Sequence, residues 1–237
     1  MQSPRARSFV QFLKDLGTTK PITHLFLLGD IFDLWIGDHQ YFKDKFQEAI
    51  VEIRRLLQQG VQVHYFEGNH DLYLTQFWQN QLGATVYPGP ALFLLDGLSV
   101  RVEHGDQMDP EDRGYLFLRW FLRTRCMRFI SKVLPGPLVA KIGEQASNAS
   151  RKYTTHTKTI DKDRALSVIR QHAKKVIQEK PFSVIVTGHV HISDDYQFEF
   201  QNNTVRSINL GSWMDHPFVL KIENGTVAVK NLNLEYS

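Results

Sequence analysis

The sequence predicts a mixed α/β protein whose first half alternates strands with helices and whose second half is rich in antiparallel strands. Three observations carry this. Short apolar runs, HLFLLGD at 24–30 and VQVHYFEG at 61–68, alternate with stretches of helical spacing, the pattern of a parallel sheet with helices on its faces. From Ala91 onward, apolar and polar residues alternate around Asp96-Gly97, Asn202-Asn203 and Asn224-Gly225, pairs that favour tight hairpins. Between these parts lies a long helical stretch, from about 113 to 180, broken at Pro135-Gly136-Pro137.

The elements follow in order. Ser3-Pro4 reads as an N-cap and first-turn proline opening a helix that runs to about Leu16. The run 24–30 is a buried strand that ends in Gly-Asp. Phe42, Phe46, Ile50, Ile53 and Leu57 share one helical face over 41–59, and Gly60 stops that helix. VQVHYFEG is a second strand, with a helix expected from about Leu72 to Leu82. ALFLLDGLSVRVEHGD at 91–106 is a hairpin whose second strand stops at His104, and FSVIVTGHVH at 182–191 is a buried strand entering a polar loop. Tyr196, Phe198 and Phe200 alternate along a further strand.

With 237 residues, 42% hydrophobic and 22% charged, the chain can bury a substantial core and is not of disordered composition. One cysteine, Cys126, excludes an internal disulfide and fits a reducing compartment. No apolar run approaches the ~18 residues of a membrane span, and the N-terminus lacks the apolar region of a signal peptide. The net charge is +3, unevenly placed: no acidic residue occurs between Asp112 and Glu144, an interval holding Arg113, Arg119, Arg123, Arg125, Arg128, Lys132 and Lys141 among aromatic and aliphatic residues. Such a stretch suits an anionic bilayer surface or a phosphorylated ligand; the plainer reading is a helical layer with solvated arginines. Its apolar opposite face argues against nucleic acid as the partner, and nothing indicates an obligate protein partner.

Chemistry concentrates where strands end. Gly-Asp30, Gly-Asn69-His70-Asp71, His104-Gly-Asp106 and Gly-His189-Val-His191 each follow a strand-like run, and ligand sites of open α/β sheets lie beyond the carboxyl ends of strands. Asp, Asn and His without thiolates suit borderline-to-hard divalent ions such as Mn²⁺, Fe²⁺ or Zn²⁺. If GHVH stays extended, alternation places both imidazoles on one side. Each run alone is an ordinary turn; four in succession after strands point to a metal site. Ser and Cys are missing from the cluster, which favours direct hydrolysis over a covalent intermediate.

GD, GNHD, HGD and GHVH in this order resemble the calcineurin-like metallophosphoesterases, whose fold is a two-sheet sandwich flanked by helices. GDIFDLWIGD at 29–38, EHGDQMDPEDRGY at 103–115, the basic insertion and NLGSW at 209–213 extend the resemblance to the UDP-2,3-diacylglucosamine pyrophosphatases of lipid A synthesis. The resemblance implies one metallophosphoesterase domain over 1–237, with a helical insertion, or lid, at about 113–180. It implies two divalent ions, Mn²⁺ in the first instance, with Asp30 bridging. Asn69, His104 and His189 complete one metal site and His191 belongs to the other. His70 protonates or stabilises the leaving oxygen, oriented by Asp71. Substrate contacts fall at Asp112, Arg151, Lys152 and Lys158, with Asp33 and Trp35 along the same cleft; for Trp35, simple core packing is the alternative. The partners implied are a nucleotide-linked lipid and the cytoplasmic face of the inner membrane.

Two features depart from the pattern. The superfamily's Asp-x-His motif does not occur in the 237 residues, and the chain opens on the helix that would follow it, so the first strand of the fold is missing here. The expectation is a natural protein that starts upstream of Met1, with a one-metal or metal-free homologue as the alternative. At His70 the lipid enzymes usually carry arginine, whereas the wider superfamily carries histidine. A phosphoesterase with a soluble substrate, and a non-catalytic membrane-surface homologue, therefore stand beside the lipid pyrophosphatase.

Overall fold

The computed structural model describes residues 4–18, 20–143, 145, 162–213 and 215–232. The mixed α/β class is borne out, and the chain divides into two compact units. One takes the residues up to Pro88 together with the stretch from Arg113; the other takes Gly89–Asp112 and the C-terminal part.

In the first unit a parallel sheet runs β1 (His24–Leu27), β3 (Gln62–Phe66), β5 (Thr85–Tyr87), with His24 level with Gln62. Helix α1 (Pro4–Asp15) packs on α3 (Gln47–Gln58). Arg55 of α3 fastens the pair: its Nη2 donates to the carbonyls of Leu13, Lys14 and Leu16 at 2.7, 3.3 and 3.2 Å. Those carbonyls end α1, and an arginine fork supplies the donors the helix end lacks. The helix expected over 41–59 is interrupted at Phe46, giving α2 (Gln40–Lys45) and α3; neither proline nor glycine marks the break. Phe32, Trp35, Phe42, Phe46, Phe77 and Trp78 form a buried aromatic cluster with ring centroids 4.4–6.0 Å apart.

The helix expected from Leu72 is replaced by other structure. Asp71–Leu72 form a short strand, β4, parallel to β2 (Trp35–Ile36), and Tyr73 follows with φ 60°. A ladder and a left-handed residue cannot begin a right-handed helix; one π-type turn, Thr75–Gln79, is all that forms. The stretch from 113 also divides: α4 (Arg113–Leu122), α5 (Arg125–Val133) and α6 (136–143) cluster with the first unit.

The second unit is a five-stranded sheet ordered β6 (Ala91–Leu95), β7 (Leu98–Val102), β8 (Val184–Thr187), β10 (Asn203–Asn209), β9 (Asp194–Phe200). The central strands β7, β8 and β10 are parallel, and β6 and β9 pair antiparallel at the edges. All four residues of β8 are buried, as expected of an interior parallel strand. Helix α7 (Lys162–Glu179), counted by sequence with the insertion, is instead a layer of this unit. Its Ala173, Val176 and Ile177 pack with Phe182, Ile185 and Val205. The Asp96-Gly97 and Asn224-Gly225 hairpins form as expected, with positive φ at all four residues. The β9–β10 turn uses Gln201-Asn202, one residue earlier than expected. A separate hairpin joins β11 (Phe218–Glu223) to β12 (Thr226–Asn231).

One polar cluster crosses the first sheet. His64 Nε2 lies 3.0 Å from His24 Nδ1, and its Nδ1 lies 3.1 Å from the Tyr87 hydroxyl. Burial, assisted by the neighbouring His24 charge, lowers the His64 pKa to about 4. A histidine depressed on folding is protonated first in the unfolded chain, so it contributes stability above the ordinary value and loses it as pH falls from about 6.5 toward 4. Urea unfolding at pH 7 and pH 5 should show about 2 kcal/mol lost through this group. A His64→Asn variant should show a shallower decline between the same two pH values; an identical decline would exclude His64 as the source.

Candidate active site

Two loops of the first unit exchange hydrogen bonds reciprocally. The loop after β1 carries Gly29-Asp30-Ile31 and the loop after β3 carries Gly68-Asn69-His70-Asp71. The His70 backbone N–H donates to Asp30 Oδ1 at 2.8 Å, and the Ile31 N–H donates to Asp71 Oδ2 at 3.2 Å. The Tyr65 hydroxyl, from β3, also donates to Asp71 Oδ2 at 3.0 Å. Asp71 and Tyr65 are fully buried. Burial, then the adjacent Asp71 carboxylate, pushes the Tyr65 phenol well above its ordinary pKa, so it stays a donor. Trp35 N–H to His70 O and Gly37 N–H to Leu72 O, both 2.8 Å, continue the lacing.

The lacing demands glycine at 68. A Cβ there would come 2.1 Å from Asp30 Oδ1 and 2.6 Å from the Asp30 nitrogen. Asp30 itself has φ 52°, a conformation costing roughly 1–3 kcal/mol for such a residue and typical of functional sites. Its carboxylate is thus held by backbone rather than left to rotate.

His70 is half-buried, and its Nδ1 lies 3.1 Å from the Asp33 carbonyl. A carbonyl only accepts, so Nδ1 is the nitrogen that carries a proton here. The Asp71 carboxylate takes the Tyr65 and Ile31 donors on Oδ2, while the contact seen at the His70 ring is the Asp33 carbonyl. Asp33, exposed, serves His70 through its backbone. Trp35 is fully buried in the aromatic cluster, its Nε1 donating to Gly37 O at 2.9 Å; core packing is its role, and it lines no cleft.

In the second unit His104 and His189 stand beyond the ends of the adjacent strands β7 and β8, their ring centroids 5.0 Å apart and inclined at 69°. Gly188 N–H donates to His104 O at 3.0 Å. Gly105 has φ 100°, a conformation that residues with side chains rarely adopt, and a Cβ there would lie 3.2 Å from Gly188 O. His189 has φ 63° and sits at the centre of a turn closed by Val190 N–H to Gly188 O at 2.7 Å, a strained γ-turn geometry. GHVH is therefore not extended, and the alternation argument for His189 and His191 fails; His191 is exposed beyond the turn. Asn209 shapes this loop. Its Nδ2 donates to Val190 O and Ile192 O, both at 2.7 Å, while its Oδ1 accepts from Thr187 Oγ1 at 2.8 Å.

Sequence reading gave Asn209 and Tyr65 no role, although NLGSW contains the first. Glu103, beside His104, is also buried, held by Arg101 Nε at 2.8 Å and by His172 Nε2. Burial raises its pKa, but the contacts with His172 and Arg101 outweigh that and hold it below the ordinary value. Asp112 is half-buried directly before α4. Arg151, Lys152 and Lys158 lie outside the described residues. The first unit thus offers the Asp30 carboxylate at its strand ends and the second the His104 and His189 imidazoles, oxygen and nitrogen donors that fit a borderline-to-hard divalent ion.

No protein-family model matches the chain. Curated proteins do. UDP-2,3-diacylglucosamine hydrolase of Stutzerimonas stutzeri (strain A1501) is 29% identical over 221 residues, which is 92% of this chain and 89% of that protein. The protein of the same name from Pseudomonas aeruginosa (strain UCBPP-PA14) is 27% identical over 218 residues, 92% of this chain and 88% of its own. Among solved structures, a novel archaeal phosphodiesterase aligns over 97% of this chain and 92% of that chain, at 13% identity and a TM-score of 0.46. The resemblance to UDP-2,3-diacylglucosamine enzymes read from the motifs is matched by these proteins of that name, which align over nearly the whole chain.

Replacing Gly68 by alanine should drive the Asp30 carboxylate off its seat. Overpacking of this kind costs about 1–3 kcal/mol; urea unfolding should show that loss, and Mn²⁺ titration followed by electron paramagnetic resonance should show weaker binding. Wild-type stability and Mn²⁺ affinity in Gly68→Ala would contradict the packing at Asp30.

Proposed function

We propose that this protein is a metal-dependent phosphoester hydrolase that cleaves the pyrophosphate bond of UDP-2,3-diacylglucosamine to UMP and lipid X. One observation carries the reading: similarity to proteins named for hydrolysis of this compound runs through 92% of the chain, basic insertion included. Asp30, Asn69, His104 and His189 are the proposed ligands of one ion, manganese in the first instance, and His191 belongs to a second. An ion held there supplies the positive charge that acidifies water and offsets charge on phosphoryl oxygens. The residues' own work is geometric. Asp30 is presented by the His70 N–H, and His189 by the turn that Asn209 braces. His70, its Nδ1–H fixed on Asp33 O, gives a proton from Nε2 to the leaving oxygen as the bond from phosphorus to that oxygen breaks and a water oxygen takes its place. Asp112, Arg151, Lys152 and Lys158 are the proposed substrate contacts, and both units together form the working domain.

The exposed surface of the insertion supports a place for the protein at a membrane. Phe117, Trp120, Phe129 and Val133 are each more than 60% exposed, interspersed with Arg113, Arg119, Arg125, Arg128 and Lys132. No helix among the described residues is long and apolar enough to cross a membrane. Attachment to the cytoplasmic face of the inner membrane by this surface fits a substrate with two acyl chains. A second reading, a phosphoesterase with a soluble substrate, is favoured by one residue: His70 stands where the lipid enzymes usually carry arginine.

Purified protein with Mn²⁺ should release UMP from UDP-2,3-diacylglucosamine faster than it hydrolyses aryl phosphates; the opposite order would favour the soluble substrate. His104→Ala or His189→Ala should abolish turnover with the far-UV spectrum unchanged, and full activity in either would remove the ligand assignment. Binding to anionic vesicles should weaken as salt rises; indifference to salt would count against the insertion as the docking surface.

A further inference from the structure

The geometry points to Arg123, in the two-residue joint between α4 and α5, as a positioning residue through which the insertion fixes the Asn69-His70 loop. The inference rests on the phosphoesterase reading of that loop. Arg123 Nη2 donates to the Gly68 carbonyl at 3.3 Å and stands 3.9 Å from Glu67 Oε2. The side chain is only 19% exposed, and its Nε is buried without a hydrogen-bond partner. The carbonyl contact and the nearby Glu67 carboxylate together set the guanidinium's place. Glu67 is itself fixed: Oε1 accepts from the Leu74 N–H at 3.0 Å, and its own N–H donates to Tyr87 O at 2.9 Å.

The same joint grips the far end of the loop. The Tyr73 hydroxyl donates to the carbonyl of Leu122, the last residue of α4. The Arg128 guanidinium, from α5, lies 5.3 Å above the Tyr73 ring. Tyr73 is held at φ 60°, a conformation that persists only where surroundings enforce it. Asn69 and His70 therefore lie between two anchors, Gly68 and Tyr73, both tied to residues 122–123. The joint is stiff as well: Thr124 Oγ1 donates to Phe121 O at 2.8 Å and accepts from the Met127 N–H at 3.4 Å, capping α5. A surface bearing apolar groups for the substrate is thus mechanically continuous with the loop that carries a metal ligand and the proton donor.

Arg123→Gln and Tyr73→Phe in the full chain test this. Groups that orient metal ligands from outside typically matter 10–100-fold in affinity or rate. Arg123→Gln should therefore lower kcat by about 10–100-fold and weaken Mn²⁺ binding without substrate by about tenfold, with KM changed by less than about threefold. Tyr73→Phe should act in the same direction, and the double variant should lose less than the product of the two. A raised KM with kcat and Mn²⁺ affinity intact would make Arg123 a substrate contact and overturn the inference, as would wild-type kcat and Mn²⁺ affinity in both variants. Should Arg123→Gln not fold, Tyr73→Phe decides alone. A wild-type protein inactive on UDP-2,3-diacylglucosamine and on bis-p-nitrophenyl phosphate would remove the phosphoesterase reading, while the Mn²⁺ titrations would still decide the inference, equal affinities overturning it.

Discussion

Two backbone N–H groups and two carboxylates, traded between the loops after β1 and β3, are the constraint on which the first unit's chemistry depends. His70 N–H holds Asp30 and Ile31 N–H holds Asp71. Each bond joins a neutral donor to a carboxylate, fully buried at Asp71 and half-buried at Asp30, and bonds to a charged acceptor are stronger than neutral ones. Neither loop can relax alone, because each supplies the other's acceptor. The glycine at 68, the left-handed Asp30 and the short β2–β4 ladder are consequences of bringing two turns that close. Tyr65 completes the arrangement from inside the sheet, adding a neutral donor to a carboxylate that would otherwise be costly to bury.

The second unit reaches a similar end by another device. There a single amide, Asn209, holds the loop after β8 by bonding two of its carbonyls, and a γ-turn lifts His189 out of the strand direction toward the His104 ring. In both units a non-glycine residue with positive φ occupies a proposed ligand position, Asp30 in one and His189 in the other. Strain of that kind is retained where it fixes a functional group, and sheet and loop packing offset its cost. The insertion adds a third layer of control, since its joint reaches the same loop that Asp30 braces.

Much of this was legible in the sequence because strands that end in polar motifs announce themselves locally. GD, GNHD, HGD and GHVH each fall just past an apolar β run, and the hairpin turns at Asp96-Gly97 and Asn224-Gly225 follow from residue type. What was not legible depends on distant partners. The run from about Leu72 to Leu82 reads as a helix, yet Asp71–Leu72 are captured by Trp35–Ile36 from across the chain. The partner of Asp71 is a tyrosine inside a strand, and that of Gly68 is an arginine from the insertion, contacts that no spacing rule encodes. Trp35 shows the converse: an aromatic beside a motif is core, since six large rings must be buried together. Helix α7 was misplaced because its amphipathic pattern does not say which layer it covers.

The most direct test of the account is where a metal ion binds. Crystals of the full chain soaked in MnCl₂ and measured at the manganese edge should show an anomalous peak within bonding distance of the Asp30 carboxylate and of the His104 and His189 rings. A peak elsewhere, or none with Mn²⁺ in excess, would contradict the reading of these strand ends as a phosphoesterase centre.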